Sequence, residues 1–284
     1  LNNKYVNFFP TGKAICVTAG DFTGNGKKDL VFISEDDMKI FYQGDNGFET
    51  EKMTVHEFKG AVHLTTIEPE KCSEPATLII RKKDGSYTTI KGTSDGLDIK
   101  NEKILLEADE DFIPIVTGRE SYTQSVKEPE PLAQILEIGG IKHLCAFRKK
   151  RTFLYPYENE ALGDPLKFEC QEAFAVAVGD IMGTGKLDLV FACRDKSSGE
   201  ECSWIYPGSK QGGWNEKDRI AVKTYHACDV VMHDFTGNGK LDIVICQSHT
   251  HEAYTSEIKL FPVDDKTDLR KMDAMPLPSH DAYR

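Results

Sequence analysis

Gly20-Asp21-Phe22-Thr23-Gly24-Asn25-Gly26-Lys27-Lys28-Asp29-Leu30-Val31-Phe32 returns twice more along the chain. The second copy is Gly179-Asp180-Ile181-Met182-Gly183-Thr184-Gly185-Lys186-Leu187-Asp188-Leu189-Val190-Phe191, and the third runs from His233-Asp234-Phe235-Thr236 to Asp242-Ile243-Val244-Ile245. Asp180 and Asp234 are 54 residues apart, and Asp21 and Asp180 are 159 apart, three periods of 53. Two degenerate copies are therefore expected in between. Residues 65–69 with 76–80 read as the first, and residues 133–137, a Gly139-Gly140 turn and residues 143–147 as the second. Both keep a strand–turn–strand outline without the Asp loop.

Each period reads as four short strands. In the first they fall near residues 15–20, 29–34, 38–42 and 51–58, separated by turns such as Gly44-Asp45-Asn46-Gly47. No stretch of useful length has helical periodicity. Short strands repeating at about fifty residues predict an all-β chain, a β-propeller of four-stranded blades. Five blades are visible over residues 1–284, read as one domain and as part of a six- to eight-bladed ring.

The bulk numbers agree with a globular β protein. Hydrophobic residues make up 39% and charged residues 29%, with a net charge of −11. An acidic chain without a basic cluster beyond residues 148–151 is expected to bind no nucleic acid. No apolar run is long enough for a membrane span. Of eight cysteines, none forms a CxxC pair. Cys16, Cys145, Cys193 and Cys246 lie in apolar runs, where a thiol packs as a small hydrophobe.

The loop places oxygen side chains at positions 1, 3, 5 and 9 around a sharp turn at Gly26. Calcium takes six to eight hard oxygens, a backbone carbonyl among them. Asp21, Thr23, Asn25, the carbonyl of Lys27 and Asp29 supply such a set, and Asp234, Thr236, Asn238, the carbonyl of Lys240 and Asp242 repeat it. Asp180 and Asp188 keep the outer carboxylates, but Met182 takes the third position. An EF-hand is excluded because position 12, Phe32 or Ile245, lies in a strand. Calcium is thus expected as a structural cofactor; the alternative is a tight turn in which Asp caps backbone amides.

The pattern Gly-Asp-Phe-x-Gly-x-Gly-x-x-Asp-Leu-Val resembles the FG-GAP/VCBS repeat, found in the integrin α-subunit propeller and in bacterial secreted proteins. Three loops carry the motif clearly, and the period extends it over nearly the whole chain. The resemblance implies an extracellular or cell-surface location. It implies no single activity, since members include adhesion modules, lectin-like proteins and polysaccharide lyases.

If the first strand of each blade runs into the Asp loop, its start and the second-to-third strand loop share the opposite face. That face collects Lys13, His63, His226 and His280 before first strands, and Arg81, Lys82, Arg148, Lys149, Arg194, His249 and His251 after second strands. A His and Arg group in an acidic protein suggests an anionic ligand such as a uronate. Two functions follow. One is a module binding a glycan or cell-surface protein. The other is a polysaccharide lyase, with Arg194 or Arg148 neutralising the uronate carboxylate, His226, His249 or His280 as base, and Tyr254 or Tyr225 as acid. Aromatic residues such as Phe41, Trp204, Tyr206 and Phe261 read as core between blades, whereas Trp214, after Gly212-Gly213, offers a sugar-stacking platform.

Overall fold

A computed structural model describes residues 9–71, 73–112, 133–210, 212–248 and 256–279. The chain divides into two units, Leu1–Glu110 and Asp111–Arg284. Both are all-β and antiparallel.

The first unit holds two larger sheets in simple meander order and a two-stranded one, Gln43–Gly44 with Gly47–Phe48. Sheet I consists of Cys16–Gly20, Asp29–Ile33, Asp37–Phe41 and Thr54–Glu57. Sheet II consists of Ala61–Ile67, Thr77–Lys82, Tyr87–Thr93 and Lys103–Leu106, with Gly96–Leu97 folding back on the third strand. The second unit holds three. Sheet III is Gln134–Ile138, Ile141–Phe147, Thr152–Glu158 and Leu166–Phe168, with Ala161–Leu162 paired to the third strand. Sheet IV is Ala173–Gly179, Asp188–Asp195, Cys202–Tyr206 and Ile220–Lys223; sheet V is Ala227–His233, Asp242–Gln247, Ser256–Phe261 and Met275–Ser279. The two degenerate copies found in the sequence are therefore the first hairpins of sheets II and III.

Within each unit, first strands of successive sheets face one another. Thr18 and Thr66 share a hydroxyl hydrogen bond of 3.0 Å across sheets I and II. The Gln134 side chain donates to the Val176 carbonyl at 2.6 Å and accepts the Val176 amide at 3.0 Å, joining sheet III to sheet IV. This close approach explains the glycine that opens the motif. A Cβ on Gly20 would lie 2.6 Å from Thr66 Cγ2, and one on Gly179 would lie 2.6 Å from Leu241 Cδ1.

Burial follows from the stacking. In sheet IV the run Leu189-Val190-Phe191-Ala192-Cys193 is wholly buried, because sheets III and V cover its two faces. In sheet I the second strand alternates between buried Asp29, Val31 and Ile33 and half-buried Leu30 and Phe32. Phe41, Trp204, Tyr206 and Phe261 are buried, as expected. Cys145 and Cys193 are fully buried and pack as small hydrophobes, while Cys16 and Cys246 are half-buried.

One recurrent element escapes the periodicity. A single 3-10 turn precedes the fourth strand in four sheets: Thr50–Lys52, Ile99–Asn101, Glu216–Asp218 and Leu269–Lys271. The Asn215 side chain caps one by accepting the Lys217 amide, and Asp268 caps another through the Arg270 amide. No helix of the described residues is long and apolar enough to cross a membrane.

Candidate functional site

The three Asp loops join first to second strands and share one hydrogen-bond scheme. The carboxylate at position 1 accepts two loop amides. Asp21 takes those of Asn25 (3.0 Å) and Gly26 (2.7 Å), Asp180 those of Thr184 (2.8 Å) and Gly185 (2.6 Å), and Asp234 those of Asn238 (2.9 Å) and Gly239 (2.8 Å). The carboxylate at position 9 is buried and works as a clasp. Asp29 accepts the amides of Phe22 and Gln43, Asp188 those of Ile181 and Gly208, and Asp242 those of Phe235, Thr236 and Val263. One end of each clasp is in the loop and the other just past the third strand. Burial raises the Asp29 and Asp188 carboxyls above the ordinary aspartate value, against the amides that hold them. Asp234 is shifted down by the amides of Gly239, Asn238 and Gly237; at Asp180 burial pushes up, but the amides of Thr184, Gly185 and Gly183 outweigh it.

The fit to calcium differs between loops. A carboxylate has about four lone-pair sites, and the amides use two at Asp21 and two at Asp29. Hard oxygens with unused lone pairs therefore surround the first and third loops, matching the chemistry calcium takes. Asn25 and Asn238 each accept the amide two residues on and donate to the carbonyl of Gln43 or Val263, so position 5 also braces the outer segment. The second loop carries a cation of its own: Lys240 Nζ is 3.0 Å from the Met182 carbonyl oxygen. Among the described residues, no group of three or more His, Cys, Asp or Glu side chains gathers as a metal cluster.

The opposite edge has its own recurring construction, which the sequence reading missed. The residue before the first strand is left-handed in three sheets: Gly60 (φ 78°), Glu172 (φ 46°) and His226 (φ 48°). Its carbonyl accepts an amide from the end of the second strand, Lys83 (2.8 Å), Arg194 (3.2 Å) and Ser248 (2.9 Å) respectively. A buried alanine follows, Ala61, Ala173 or Ala227, and then a register shift. Glu172 and His226 are 54 residues apart, so the repeat spacing itself marks the corner. A non-glycine residue there carries about 1–3 kcal/mol of backbone strain, of the kind that collects at functional sites.

Sheets IV and V together place a polar cluster on this edge. Arg194 stacks on the Phe174 ring at 4.7 Å and donates to Ser248 Oγ at 3.3 Å, and Ser248 Oγ donates to the His226 carbonyl at 3.2 Å. The His226 amide donates to Glu201, whose side chain is largely buried. The exposed Tyr225 ring lies 4.5 Å from the His226 ring, centroid to centroid. Guanidinium, imidazole, phenol and carboxylate thus converge.

The other expected residues are dispersed. Arg148 is buried, with Nη1 3.3 Å from the Phe147 carbonyl, and so lies beneath the surface. His63 and Arg81 lie within strands, paired in register with each other, rather than flanking them. Arg81 is fully buried. His249, His251, Tyr254 and His280 lie outside the described residues. Trp214 serves the core of sheet IV: its ring nitrogen donates to the Leu187 carbonyl at 2.9 Å, and its ring packs edge-on against Phe168. It is anchored as packing, not set out as a platform. Compared with known proteins, the chain matches no family model and no curated protein.

Proposed function

We propose that this chain is a β-propeller module of the FG-GAP/VCBS type that binds a glycan or a cell-surface protein at the edge where its first strands begin. One observation carries the reading: the corner of left-handed residue, buried alanine and bulge recurs in sheets II, IV and V. It puts Lys83 in the first unit, and Glu172 with Arg194 and His226 with Ser248 in the second, at equivalent places of their own sheets, so the repeated corner presents side chains of varied charge. The strain held at Glu172 and His226 supports a selected role for those side chains. Loops between strands are where recognition usually sits on a rigid β scaffold.

In this reading calcium belongs to the loops of Asp21 and Asp234, where it stiffens the first hairpin far from the binding edge. The test is binding of the intact chain to an array of glycans and cell-surface proteins, with Glu172→Gly and His226→Gly variants alongside. Binding lost in those variants at undiminished thermal stability supports the edge; undiminished binding by both variants overturns it.

A further inference from the structure

The sheet II corner differs from the other two in being open. A Cβ on Gly60 would meet nothing within 4 Å. Beside it is a groove of about 420 Å³, within the usual range for small-ligand sites. Lys59 and Lys83 stand over it, and Ser86, Thr88 and Glu102 line it, with the exposed Ile104 at its lip. The polar groups of its wall, Lys82, Glu102, Thr88, Asp84 and Ser86, are held before any ligand arrives. Thr88 Oγ1 donates to Glu102 Oε1 at 2.6 Å, and Lys82 Nζ lies 2.8 Å from the same oxygen. Lys82 is itself held 3.9 Å over the Phe58 ring. Asp84 Oδ1 accepts both the amide and the hydroxyl of Ser86, at 2.9 and 2.7 Å.

The chemistry of the lining narrows the occupant. An apolar ligand would find carbon surface on Ile104 and the lysine stems, but would leave the carboxylates of Asp84 and Glu102 and the ammonium of Lys83 facing it unsatisfied. A bare phosphate would satisfy the ammonium groups but face the carboxylates of Asp84 and Glu102. A neutral sugar would use those carboxylates but bring no counter-charge to Lys83, and would leave Lys59 to the exposed Glu57 alone. We propose that this groove binds a saccharide bearing a carboxylate, with the acid group at Lys59 and Lys83 and ring hydroxyls donating to Glu102 and Asp84. Glu57, 2.7 Å from Lys59, is exposed and turns aside when the ligand's acid group enters. The proposal rests on the reading of this edge as a ligand-binding edge and makes sheet II its saccharide subsite.

The test is an NMR titration of the ¹⁵N-labelled protein with trigalacturonate and, separately, with its fully methyl-esterified form. Saturable shifts at the amides of Gly60, Lys83 and Ser86 are expected. Esterification, and a Lys59→Ala/Lys83→Ala double variant of unchanged thermal stability, should each weaken binding about fivefold, as two exposed charge contacts allow. Glu102→Gln should weaken both forms alike. Equal affinity for acid and ester, or no saturable shift at those three amides, overturns the proposal. Shifts confined to Glu172 and His226 would overturn the groove while leaving the ligand-binding edge standing.

Discussion

Lys240 Nζ lies 3.0 Å from the carbonyl oxygen of Met182, so an ammonium from the loop of sheet V closes the loop of sheet IV. A Cβ on Gly183 would sit 2.9 Å from that nitrogen, so the ammonium packs directly over the glycine. Lys240 also pairs with Asp265 at 3.2 Å, the counterpart of the Lys27–Asp45 pair in sheet I. Removing the side chain should therefore loosen a loop other than its own. Lys240→Ala is expected to cost about 1 kcal/mol and to speed hydrogen exchange at the Thr184 and Gly185 amides. Unchanged exchange there would show that the ammonium is incidental.

The two carboxylates of a loop should differ sharply in weight. Asp188→Ala strands the amides of buried Ile181 and of Gly208, and is expected to cost about 2–4 kcal/mol in urea unfolding. Asp180→Ala exposes the amides of Thr184 and Gly185 to water, and should cost below about 1 kcal/mol. Equal losses would refute the clasp.

Calcium should stabilise the wild-type chain in proportion to the logarithm of its concentration, by about 2.7 kcal/mol per site at one hundred times the dissociation constant, and so raise its thermal midpoint. An Asp21→Ala/Asp234→Ala variant should not respond. Lack of response in the wild type would assign both loops to amide capping alone.

Acid should act on the loops in two opposite senses. Asp180 and Asp234 have folded-state pKa values below the ordinary one, so their stabilisation is complete above that value and is lost as pH falls through the depressed one. Asp29 and Asp188 are raised, so lowering the pH from their folded-state value towards the ordinary one adds stability. An Asp180→Asn/Asp234→Asn variant should therefore show a flatter loss of stability below about pH 4, read by urea unfolding between pH 3 and 5. A slope equal to the wild type's would count against this account.

His226→Gly separates fold from function at the corner. Relieving a φ of 48° should stabilise the chain by about 1 kcal/mol, while ligand binding at the sheet V edge falls. A destabilised variant would mean that the imidazole is a packing element.

The strand plan was legible because it rests on a local signal. The repeated Asp-Leu-Val run at Asp29 and Asp188 places the start of second strands, and the spacing finds the hairpins at residues 65–80 and 133–147 even without their Asp loops. The corner at Gly60, Glu172 and His226 was not legible, because its signature is a backbone sign that one residue type does not encode. Arg81 and Arg148 misled for a related reason. They open polar runs in the sequence, yet both are buried. Trp214 follows two glycines and reads as exposed, but its partner Phe168 comes from another sheet, 46 residues away.

The Ala76 amide donates to the carbonyl of Asp21 at 2.7 Å, so the loop of sheet I also anchors the second strand of sheet II. Sheet II has Thr77 where sheet I has the position-9 aspartate, Asp29. A repeat is thus free to shed its acidic turn in the course of sequence drift, provided that the adjoining repeat keeps one. Conversely, the retained turn at Asp21 serves two repeats, and its loss costs both.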